Sequence, residues 1–316
     1  MNREKAGKAF EETVGTKAIN LEKLEEGLIH ETYSAEAEGR EYIIQFSGKD
    51  DENHSALEKC LEMYRLLEGT VPVPETVTDE IREIEGDRYV IVEKIDGKSG
   101  EKDISPDKTG NAGKTLAEIH SFTQFEREGW IEFEGNDQRI TEFREKSLKR
   151  KKVSELEEKI EVFEEKGLEE LAESLEAFIE EYGEIFPENF EAVLVHDDFT
   201  PDNVIFLGEE VNGVIDMDYA YSGLDVRNVV KSANAFWMHD PVTEWDVRET
   251  FYEGYRRERP LPEDFETLEM FFRVETLIQL VGSMLKLDEL SEREQEFYRE
   301  KLLEEIQRSR EGLKPE

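Results

Sequence analysis

Polar side chains with metal-binding and acid–base chemistry collect between residues 193 and 228, where short apolar runs end; they are His196, Asp197, Asp198, Asn203, Asp216 and Asp218. The apolar runs, at residues 193–195, 204–207 and 211–215, are strand-length and rich in β-branched residues. The Gly208-Glu209-Glu210 sequence predicts a hairpin turn between the last two. The acids can thus converge in one small volume. Because carboxylates repel at close range, such convergence needs a cation, for which a divalent metal with oxygen ligands is the natural candidate.

This set of side chains fits the requirements of phosphoryl transfer. That reaction needs a divalent metal on the phosphates and a carboxylate that orients or deprotonates the attacking hydroxyl. The spacing Asp198-x4-Asn203 offers a base and a nearby amide oxygen, and Asp216 offers a second metal ligand after the hairpin. The alternative from the residues alone is an Asp–Asn turn cap with a surface aspartate. The joint spacing favours the catalytic interpretation.

A predicted hairpin precedes this set near the N-terminus. Residues 32–37 and 41–46 have strand-like apolar patterns around a Glu38-Gly39-Arg40 turn, and a further turn is expected at Gly27. Such a hairpin can lay backbone N–H groups over phosphates. One glycine carries little weight, so a plain structural hairpin is the alternative for this segment taken alone.

The rest of the first hundred residues predicts one helix and two more strands. Residues 55–67 have apolar side chains at helical spacing, and the prolines of residues 71–74 end that helix. Strands are expected at residues 81–84 and 89–92, and residues 93–97 form a connector. We therefore expect an α+β chain with an N-terminal domain over residues 1–95 and a second domain over residues 96–316.

The second domain is predicted to be mostly helical. Helices are expected within residues 109–120, 141–185, 228–236, 244–255, 262–286 and 292–309. Gly167 should divide the charge-rich segment 141–185 into two helices. That segment is either a solvated helix pair or a cap over a substrate.

The charge of the chain restricts its partners. The net charge is −39, with 79 Asp and Glu against 40 Lys and Arg. A surface this negative repels nucleic acids and anionic membranes, so neither is an expected partner. We interpret the charge as adaptation to a salty cytosol, where salt screens self-repulsion. Cys60 is the single cysteine, and the sequence has neither a transmembrane run nor an apolar signal core, so a cytoplasmic location is expected.

The polar set belongs to two longer motifs. The segments V-H-D-D-F-T-P-D-N and V-I-D-M-D resemble the H-G-D-x-x-P-x-N and I-D-F-x-D signatures of the aminoglycoside phosphotransferase and choline kinase family. The V-P-V-P segment at residues 71–74, the V-E-K-I-D-G segment at 92–97, the helix at 113–120 and F-Y-E-G-Y at 251–255 are also similar to family elements. The resemblance extends from about Gly27 to Tyr255.

The resemblance implies a bilobal, protein-kinase-like fold and a small-molecule kinase. Asp198 would be the catalytic base, His196 would brace the catalytic loop, and Asn203 and Asp216 would bind Mg²⁺. Asp218 and Asp197 would lie near the metal or the substrate. ATP or GTP would be the donor. The implied nucleotide contacts are Gly27, Ile29, Thr32, Ile44, Gln45, Glu93 and Ile95, the last two in the hinge that holds the base.

Three positions depart from the family pattern. Asp197 replaces the usual glycine and adds a charge to the loop. Gln45 replaces a phosphate-binding Lys or Arg, whose charge a neutral amide does not supply. The acidic partner of that lysine falls near Cys60, with Glu58 and Glu62 as neighbours. Asn228 replaces an aspartate, which we interpret as a structural capping change.

Several functions are compatible with these residues. The leading one is a kinase of a small-molecule hydroxyl in a sugar, amino alcohol, nucleoside or aminoglycoside-like acceptor, acting as a monomer or homodimer. A pocket lined by acidic residues would suit an acceptor molecule that is a cationic or neutral polyol. A catalytically silent nucleotide-binding protein is an alternative because of Gln45. A metal-dependent phosphohydrolase is disfavoured by five scattered histidines. A protein kinase is disfavoured because only residues 219–222 separate Asp218 from Gly223.

Overall fold

The structure is a computed structural model that describes residues 3–24, 31–47, 55–134 and 137–313. The predicted nucleotide contacts Gly27 and Ile29 lie outside the described residues. The helices are α1 (Arg3–Val14), α2 (Ser55–Leu67), α3 (Pro106–Phe122), α4 (Leu148–Glu165), α5 (Glu169–Tyr182), α6 (Asp225–His239), α7 (Val247–Arg256), α8 (Phe265–Lys286) and α9 (Glu292–Gly312).

Thirteen strands are named within the described ranges. They are β1 (Asn20–Lys23), β2 (Glu31–Ala37), β3 (Arg40–Phe46), β4 (Arg82–Ile84), β5 (Asp87–Glu93), β6 (Lys98–Ser99), β7 (Gln124–Phe125), β8 (Gly129–Glu134), β9 (Asp137–Thr141), β10 (Ala192–Val195), β11 (Val204–Leu207), β12 (Glu210–Val214) and β13 (Tyr221–Leu224). The chain divides into two compact units. The first contains Met1–Asp103, Ile131–Arg139 and Pro201–Ala220, and the second contains the remainder.

The first unit is built on an antiparallel sheet with the order β1-β2-β3-β5-β4. The predicted β2–β3 hairpin is confirmed, with Ala37 opposite Arg40. Its two turn residues, Glu38 and Gly39, have φ angles of 54° and 80°, which are values expected of a tight hairpin turn. The predicted helix at residues 55–67 is confirmed as α2.

The two faces of this sheet bury different side chains. One face forms a core with α1 that includes Phe10, Tyr33, Ile44 and Tyr89. On the other side Val90 of β5 packs with Leu57 and Leu61 of α2. This division follows from the alternation of side chains along a strand, which sends successive residues of β3 and β5 to opposite faces.

A second, three-stranded sheet in the same unit has the order β12-β11-β6. The predicted β11–β12 hairpin is confirmed, and Val204 lies opposite Val214. Gly208 in its turn has a φ of 65°, which a residue without a Cβ atom adopts at little cost. Strand β6, which follows the connector at residues 93–97, pairs with β11 on the other side.

The second unit contains the helices α3 to α9 and the strands β7, β10 and β13, with β10 paired to both of the other two. Helices α3 and α7 approach closely, because a Cβ atom on Gly113 would lie 2.1 Å from the carbonyl oxygen of Phe251. The division of α4 from α5 at Gly167 is confirmed, and the φ of Gly167 is 78°. Of the residues described, none belongs to a helix that is both long and apolar enough to cross a membrane.

One predicted boundary is wrong. The helical segment expected from residue 141 begins at Leu148, and Thr141 ends strand β9. Ser147 caps α4 by accepting a hydrogen bond from the backbone N–H of Arg150. The preceding residues instead join the sheet, where Trp130 of β8 pairs with Tyr221 of β13. The α+β class, with an antiparallel sheet in the N-terminal region and helices in the C-terminal region, is confirmed.

Candidate active site

The segment that follows β10 carries three of the predicted site residues. All four residues of β10 are buried, and the strand lies between β7 and β13. His196 is completely buried, and its Nδ1 accepts a hydrogen bond from the backbone N–H of Asp198 at 3.3 Å. The carbonyl oxygen of Asp198 accepts from the backbone N–H of Thr200 at 2.9 Å. The backbone on both sides of the half-buried Asp198 is therefore held in place, as expected for a braced loop.

Asp197 stands where the family pattern has glycine, and its backbone keeps the glycine-like conformation. Its φ is 59°, a left-handed value that a residue with a side chain adopts at some energetic cost. Three cationic side chains surround its carboxylate: Lys152 at 3.4 Å, Lys231 at 3.4 Å and Arg227 at 3.3 Å. These interactions oppose the strain and fix the direction of the side chain.

The cations around Asp197 determine its ionisation. Burial alone would raise the pKa of the Asp197 carboxyl, but Lys152, Lys231 and Arg227 outweigh that effect and hold the pKa well below its usual value. Burial likewise lowers the pKa of Lys152 well below its usual value. The compensating charge at Asp197 thus comes from the protein, whereas the sequence had pointed to a metal.

The same cations belong to a wider buried network in the second unit. The guanidinium of Arg227 donates to Glu275 at 2.9 Å and to Gln279 at 2.6 Å, and both Arg227 and Glu275 are completely buried. Lys152 also lies 3.0 Å from Glu155. Each buried charge therefore has an opposite partner, which a charge removed from water requires.

The predicted metal ligands lie in the first unit, at the base of the β11–β12 hairpin. Asn203 ends a short 3₁₀ turn, Pro201–Asn203, and leads into β11. Its carbonyl oxygen accepts a hydrogen bond from the backbone N–H of Ile215 at 3.0 Å. Since Ile215 precedes Asp216, the hairpin brings the two predicted oxygen ligands to the same end.

Asp216 has a second backbone constraint. Its φ is 63°, again a left-handed value for a residue with a side chain. Its backbone N–H donates to the hydroxyl of Tyr64 on α2 at 3.0 Å. Asp218, two residues on, is buried.

Burial raises the pKa of the Cys60 thiol well above its usual value, and Asp218 and Asp216 raise it further. Cys60, the single cysteine of the sequence, is buried.

The acids flanking Cys60 have other partners. Glu58 lies 3.8 Å from Arg88, and Glu62 lies 3.0 Å from Arg65. Lys59, between Glu58 and Cys60, donates to the backbone carbonyl of Ala220 at 3.4 Å. Helix α2 therefore contacts the segment from Asp216 to Ala220 through two side chains, Lys59 and Tyr64.

The predicted nucleotide contacts on β2 and β3 divide between the two faces of the sheet. Gln45 lies opposite Thr32 on one side and opposite Val90 on the other, which places all three on the face that packs with α2. Gln45 is half-buried. Ile44 points the other way, is completely buried and belongs to the core with α1. The Ile44 side chain therefore faces α1, away from the side of the sheet on which Thr32 and Gln45 lie.

The predicted hinge residues pack against neighbouring strands. The Glu93 carboxylate pairs with Arg40 at 2.6 Å, and the Glu93 backbone N–H donates to Glu75 at 2.8 Å. Ile95 lies against the backbone of Gly213 in β12, since a Cβ atom on that glycine would be 2.2 Å from the Ile95 side chain. The connector is therefore held to the hairpin that carries the predicted metal ligands.

The structure gathers the predicted residues in two sets. His196, Asp197 and Asp198 follow one strand of the second unit, and Asn203, Asp216 and Asp218 adjoin one hairpin of the first. Within the ranges that the structure describes, no group of three or more His, Cys, Asp or Glu side chains is arranged to hold a metal. A metal held by Asn203 and Asp216 would therefore need further ligands from outside the protein.

Sequence reasoning missed the partners of the site residues, namely Lys59, Tyr64, Lys152, Arg227 and Lys231. One signal was present: Tyr64 lies four positions after Cys60, so the two share one side of α2. For Arg227 and Lys231 no local pattern indicates Asp197 as the partner, because about thirty residues separate them along the chain.

Comparison with known proteins gives the chain a family. Residues 20–262 match the model described as the phosphotransferase enzyme family, APH. Homoserine kinase of Rhodopseudomonas palustris (strain BisB18) is 37% identical over 70 residues, covering 22% of this chain and 21% of that protein. The chain thus spans about a fifth of the length of the curated relatives it matches.

Solved structures resemble the chain over nearly its whole length. Aminoglycoside phosphotransferase APH(4)-Ia has a TM-score of 0.70 and 16% identity, with coverage of 97% of this chain and 99% of that one. Spectinomycin phosphotransferase APH(9)-Ia, in complex with ADP and spectinomycin, has a TM-score of 0.59 and 17% identity, with coverage of 100% and 95%. At these identities the likeness concerns the fold, which is protein-kinase-like. Because the family model spans most of the chain, this protein belongs to the phosphotransferase enzyme family, as its motifs predicted.

Proposed function

We propose that this protein transfers the γ-phosphate of ATP, or of GTP, to a hydroxyl group of a small molecule. The observation that carries the proposal is the placement of Asn203 and Asp216 at one end of the β11–β12 hairpin, combined with the braced Asp198 after β10. The family membership supports the reaction type. The residue assigned to each step is likewise proposed.

In the proposed reaction Asp198 receives the proton of the acceptor hydroxyl. The hydroxyl oxygen forms a bond to the γ-phosphorus, the bond from that phosphorus to the β–γ bridging oxygen breaks, and the nucleoside diphosphate leaves. His196 orients the Asp198 backbone by accepting its N–H hydrogen bond. Because His196 is buried against Phe199, with ring centroids 5.8 Å apart, its ring has a fixed position from which to do so.

The oxygens of Asn203 and Asp216 are suited to hold Mg²⁺. This ion prefers oxygen ligands and is commonly bound by one or two carboxylates together with waters and substrate phosphates. The hairpin offers a carboxylate and an amide, which fits that donor set. Bound there, Mg²⁺ would neutralise charge on the phosphate oxygens. Asp218 is proposed to support this end of the site, and Asp197 to act through its network of cations.

The nucleotide is proposed to contact Thr32 and Gln45 on the sheet and Glu93 and Ile95 in the connector. Related solved structures support a nucleoside triphosphate donor, since APH(4)-Ia has been solved with AMP-PNP and hygromycin B. Ile44, the neighbour of Gln45 in β3, stays in the proposed set, and its side chain is buried in the core with α1. Thr32 and Gln45 both lie on the α2 face of the sheet, where a ligand group could reach between sheet and helix.

The acceptor class is proposed from the relatives. Their names state homoserine, aminoglycosides and spectinomycin as acceptors, all of them small hydroxyl compounds. We propose a sugar, amino alcohol, nucleoside or aminoglycoside-like molecule for this chain as well. The test is a screen of ADP release with each acceptor class and MgATP, run at high salt.

The catalytic assignment is tested by substitution. Asp198→Ala should abolish turnover while nucleotide binding persists, and Asn203→Ala should raise the Mg²⁺ concentration that gives half-maximal rate. Asp202→Ala is a matched control, because Asp202 is an exposed aspartate beside Asn203. Unchanged turnover in Asp198→Ala would refute the role of this residue as the base. Tight nucleotide binding without turnover on any acceptor would instead support a silent nucleotide-binding protein.

A further inference from the structure

Lys59 is a partly buried cation that the proposed mechanism does not yet use. It lies in α2, and its ammonium donates to the backbone carbonyl of Ala220 at 3.4 Å. Burial lowers the pKa of Lys59, while Asp218 and Glu132 raise it. The ammonium thus lies among acidic groups, next to the segment that carries a proposed metal ligand.

Three residues of α2 meet the segment from Asp216 to Ala220. Tyr64 accepts the backbone N–H of Asp216, Cys60 is buried with Asp218 and Asp216 among its electrostatic neighbours, and Lys59 reaches Ala220. Cys60 and Tyr64 are one helical turn apart and share a side of α2, and Lys59 precedes Cys60 directly. The position of the Lys59 ammonium is therefore fixed relative to the hairpin end that holds Asn203 and Asp216.

Phosphate binding in this protein needs a local source of positive charge. A nucleoside triphosphate carries several negative charges, and the chain itself carries −39. Gln45, the polar side chain on the α2 face of the sheet, has no charge to offer. Helix α2 packs on this face through Leu57 and Leu61, and Lys59 is a cation of the same helix whose ammonium reaches the Ala220 carbonyl.

We propose that Lys59 contacts the phosphate oxygens of the bound nucleotide and supplies the positive charge that Gln45 does not. The inference rests on the proposed function, because it assumes that the nucleotide phosphates lie at the Asn203–Asp216 end of the hairpin. In the absence of nucleotide the carboxylates of Asp218 and Glu132 favour the charged ammonium, against the effect of burial on its pKa. The phosphate-binding cation is then Lys59 in helix α2, and the strand residue Gln45 is neutral.

A simpler role for Lys59 would be to neutralise Asp218 and hold α2 in place. The two roles differ in what they do to ligands of different charge. A purely structural lysine would affect the binding of adenosine and MgATP alike. A phosphate-binding lysine affects MgATP strongly and adenosine little, because adenosine has no phosphate for the ammonium to contact.

The test compares dissociation constants for MgATP and adenosine by isothermal titration calorimetry in the wild type and three variants. Lys59→Gln should weaken MgATP binding by about 10- to 100-fold, the range expected for a lost charge-assisted hydrogen bond, and leave adenosine binding within about twofold. Lys59→Arg keeps the charge and should retain most of the MgATP affinity. Arg65→Gln is the matched control, because Arg65 is a basic residue of α2 paired with Glu62.

A chemical test uses the wild-type protein and so does not depend on variants that fold. Acylation of Lys59 by an amine-reactive reagent, measured by mass spectrometry, should be suppressed by MgATP and not by adenosine. Equal acylation with and without MgATP would overturn the proposal, as would MgATP affinity in Lys59→Gln within twofold of wild type.

The two proposals fail differently. Protection of Lys59 by MgATP in a protein that phosphorylates no acceptor would support the role of Lys59 and count against the kinase function. Turnover by the wild type with no change in MgATP binding for Lys59→Gln would support the kinase and refute the role of Lys59. A wild type that does not bind MgATP would overturn both.

Discussion

The hydroxyl of Tyr64 accepts a hydrogen bond from the backbone N–H of Asp216 at 3.0 Å. This bond joins helix α2 to the residue proposed to hold Mg²⁺, and it restrains an aspartate with a left-handed φ of 63°. A buried tyrosine hydroxyl that receives this bond is a direct way to fix the backbone at a strained position.

Tyr64→Phe should weaken the response of the enzyme to Mg²⁺. The variant leaves the Asp216 N–H without its acceptor, a loss of about 1–3 kcal/mol for a buried donor. The Mg²⁺ concentration for half-maximal turnover should rise, and the melting temperature should fall. Tyr89→Phe is the control, because its hydroxyl bonds Thr13 at 3.0 Å, away from Asp216. Equal Mg²⁺ dependence in both variants would show that the Tyr64 bond does not position the metal ligand.

Asp197→Asn should destabilise the protein by about 3–5 kcal/mol, since it leaves Lys152, Lys231 and Arg227 without their shared anion. The effect should depend on pH in a defined direction. The folded-state pKa of Asp197 lies below its unfolded-state value, so its stabilisation is present above about pH 4 and is lost as pH falls further. Urea unfolding of wild type and variant should therefore converge as the pH is lowered through that range.

The exposed neighbour Asp202 provides the control for this experiment. Asp202→Asn should change the free energy of unfolding by less than about 0.5 kcal/mol at neutral pH. A similar small change for Asp197→Asn would mean that the cations around Asp197 find other partners or lose their protons without cost.

His120 should make the protein less stable as the pH falls from about 6.5 to 4. Burial lowers the pKa of this histidine to about 4, and its ring bonds the Tyr255 hydroxyl at 2.9 Å and Asn228 at 3.0 Å. The unfolded chain, with a pKa near 6.5, binds the proton in this range and the folded chain does not. The loss should reach about 3 kcal/mol. The measurement is the free energy of unfolding against pH for wild type and His120→Gln, which should lack this part of the slope.

Gly113→Ala should separate α3 from α7 and destabilise the protein by about 1–3 kcal/mol. The added Cβ atom would meet the Phe251 carbonyl oxygen at 2.1 Å, which backbone atoms do not tolerate. Gly183→Ala is the control, because a Cβ atom added there would have no neighbour within 4 Å and the φ of Gly183 is −59°. In thermal unfolding, Gly113→Ala should have a lower melting temperature than Gly183→Ala. An unchanged melting temperature for Gly113→Ala would mean that α3 and α7 can move apart without loss of stability.

Stability should increase with salt. A net charge of −39 implies strong self-repulsion in dilute buffer, which added ions screen over distances of about 10 Å at 0.1 M. The melting temperature should rise as KCl is added from low to molar concentrations, with most of the rise at the lower concentrations. Full stability in dilute buffer would refute adaptation to a salty cytosol.

The parts of the fold that the sequence predicted are those with a local signal. The β2–β3 hairpin has its turn residues Glu38 and Gly39 between alternating strands, and α4 and α5 separate at Gly167. By contrast, β8 and β9 were missed, and β8 joins the sheet through a strand that is distant in the chain. Trp130 of β8 pairs with Tyr221 of β13, a residue far away in the chain.

The same distinction applies to the candidate site. Asp198, Asn203 and Asp216 were found because their spacing matches a family motif. Their supports, Tyr64 and Lys59 among them, come from helices whose sequence shows only amphipathic spacing. For Ile44 the strand assignment was correct, and the direction of its side chain became known only from the packing of α1 against one face of the sheet.

The cations around Asp197 also constrain how the family could have diverged at this position. An aspartate introduced alone would be a strained, half-buried anion without a cation, and Lys152 and Arg227 introduced alone would be buried near each other with Glu155 and Glu275 as partners but without the carboxylate between them. Neither intermediate is favourable, so Asp197, Lys152 and Arg227 should be inherited together. Relatives with glycine at this position are expected to lack at least one of these two basic residues, and the group of three can serve as a marker of the lineage that leads to this protein.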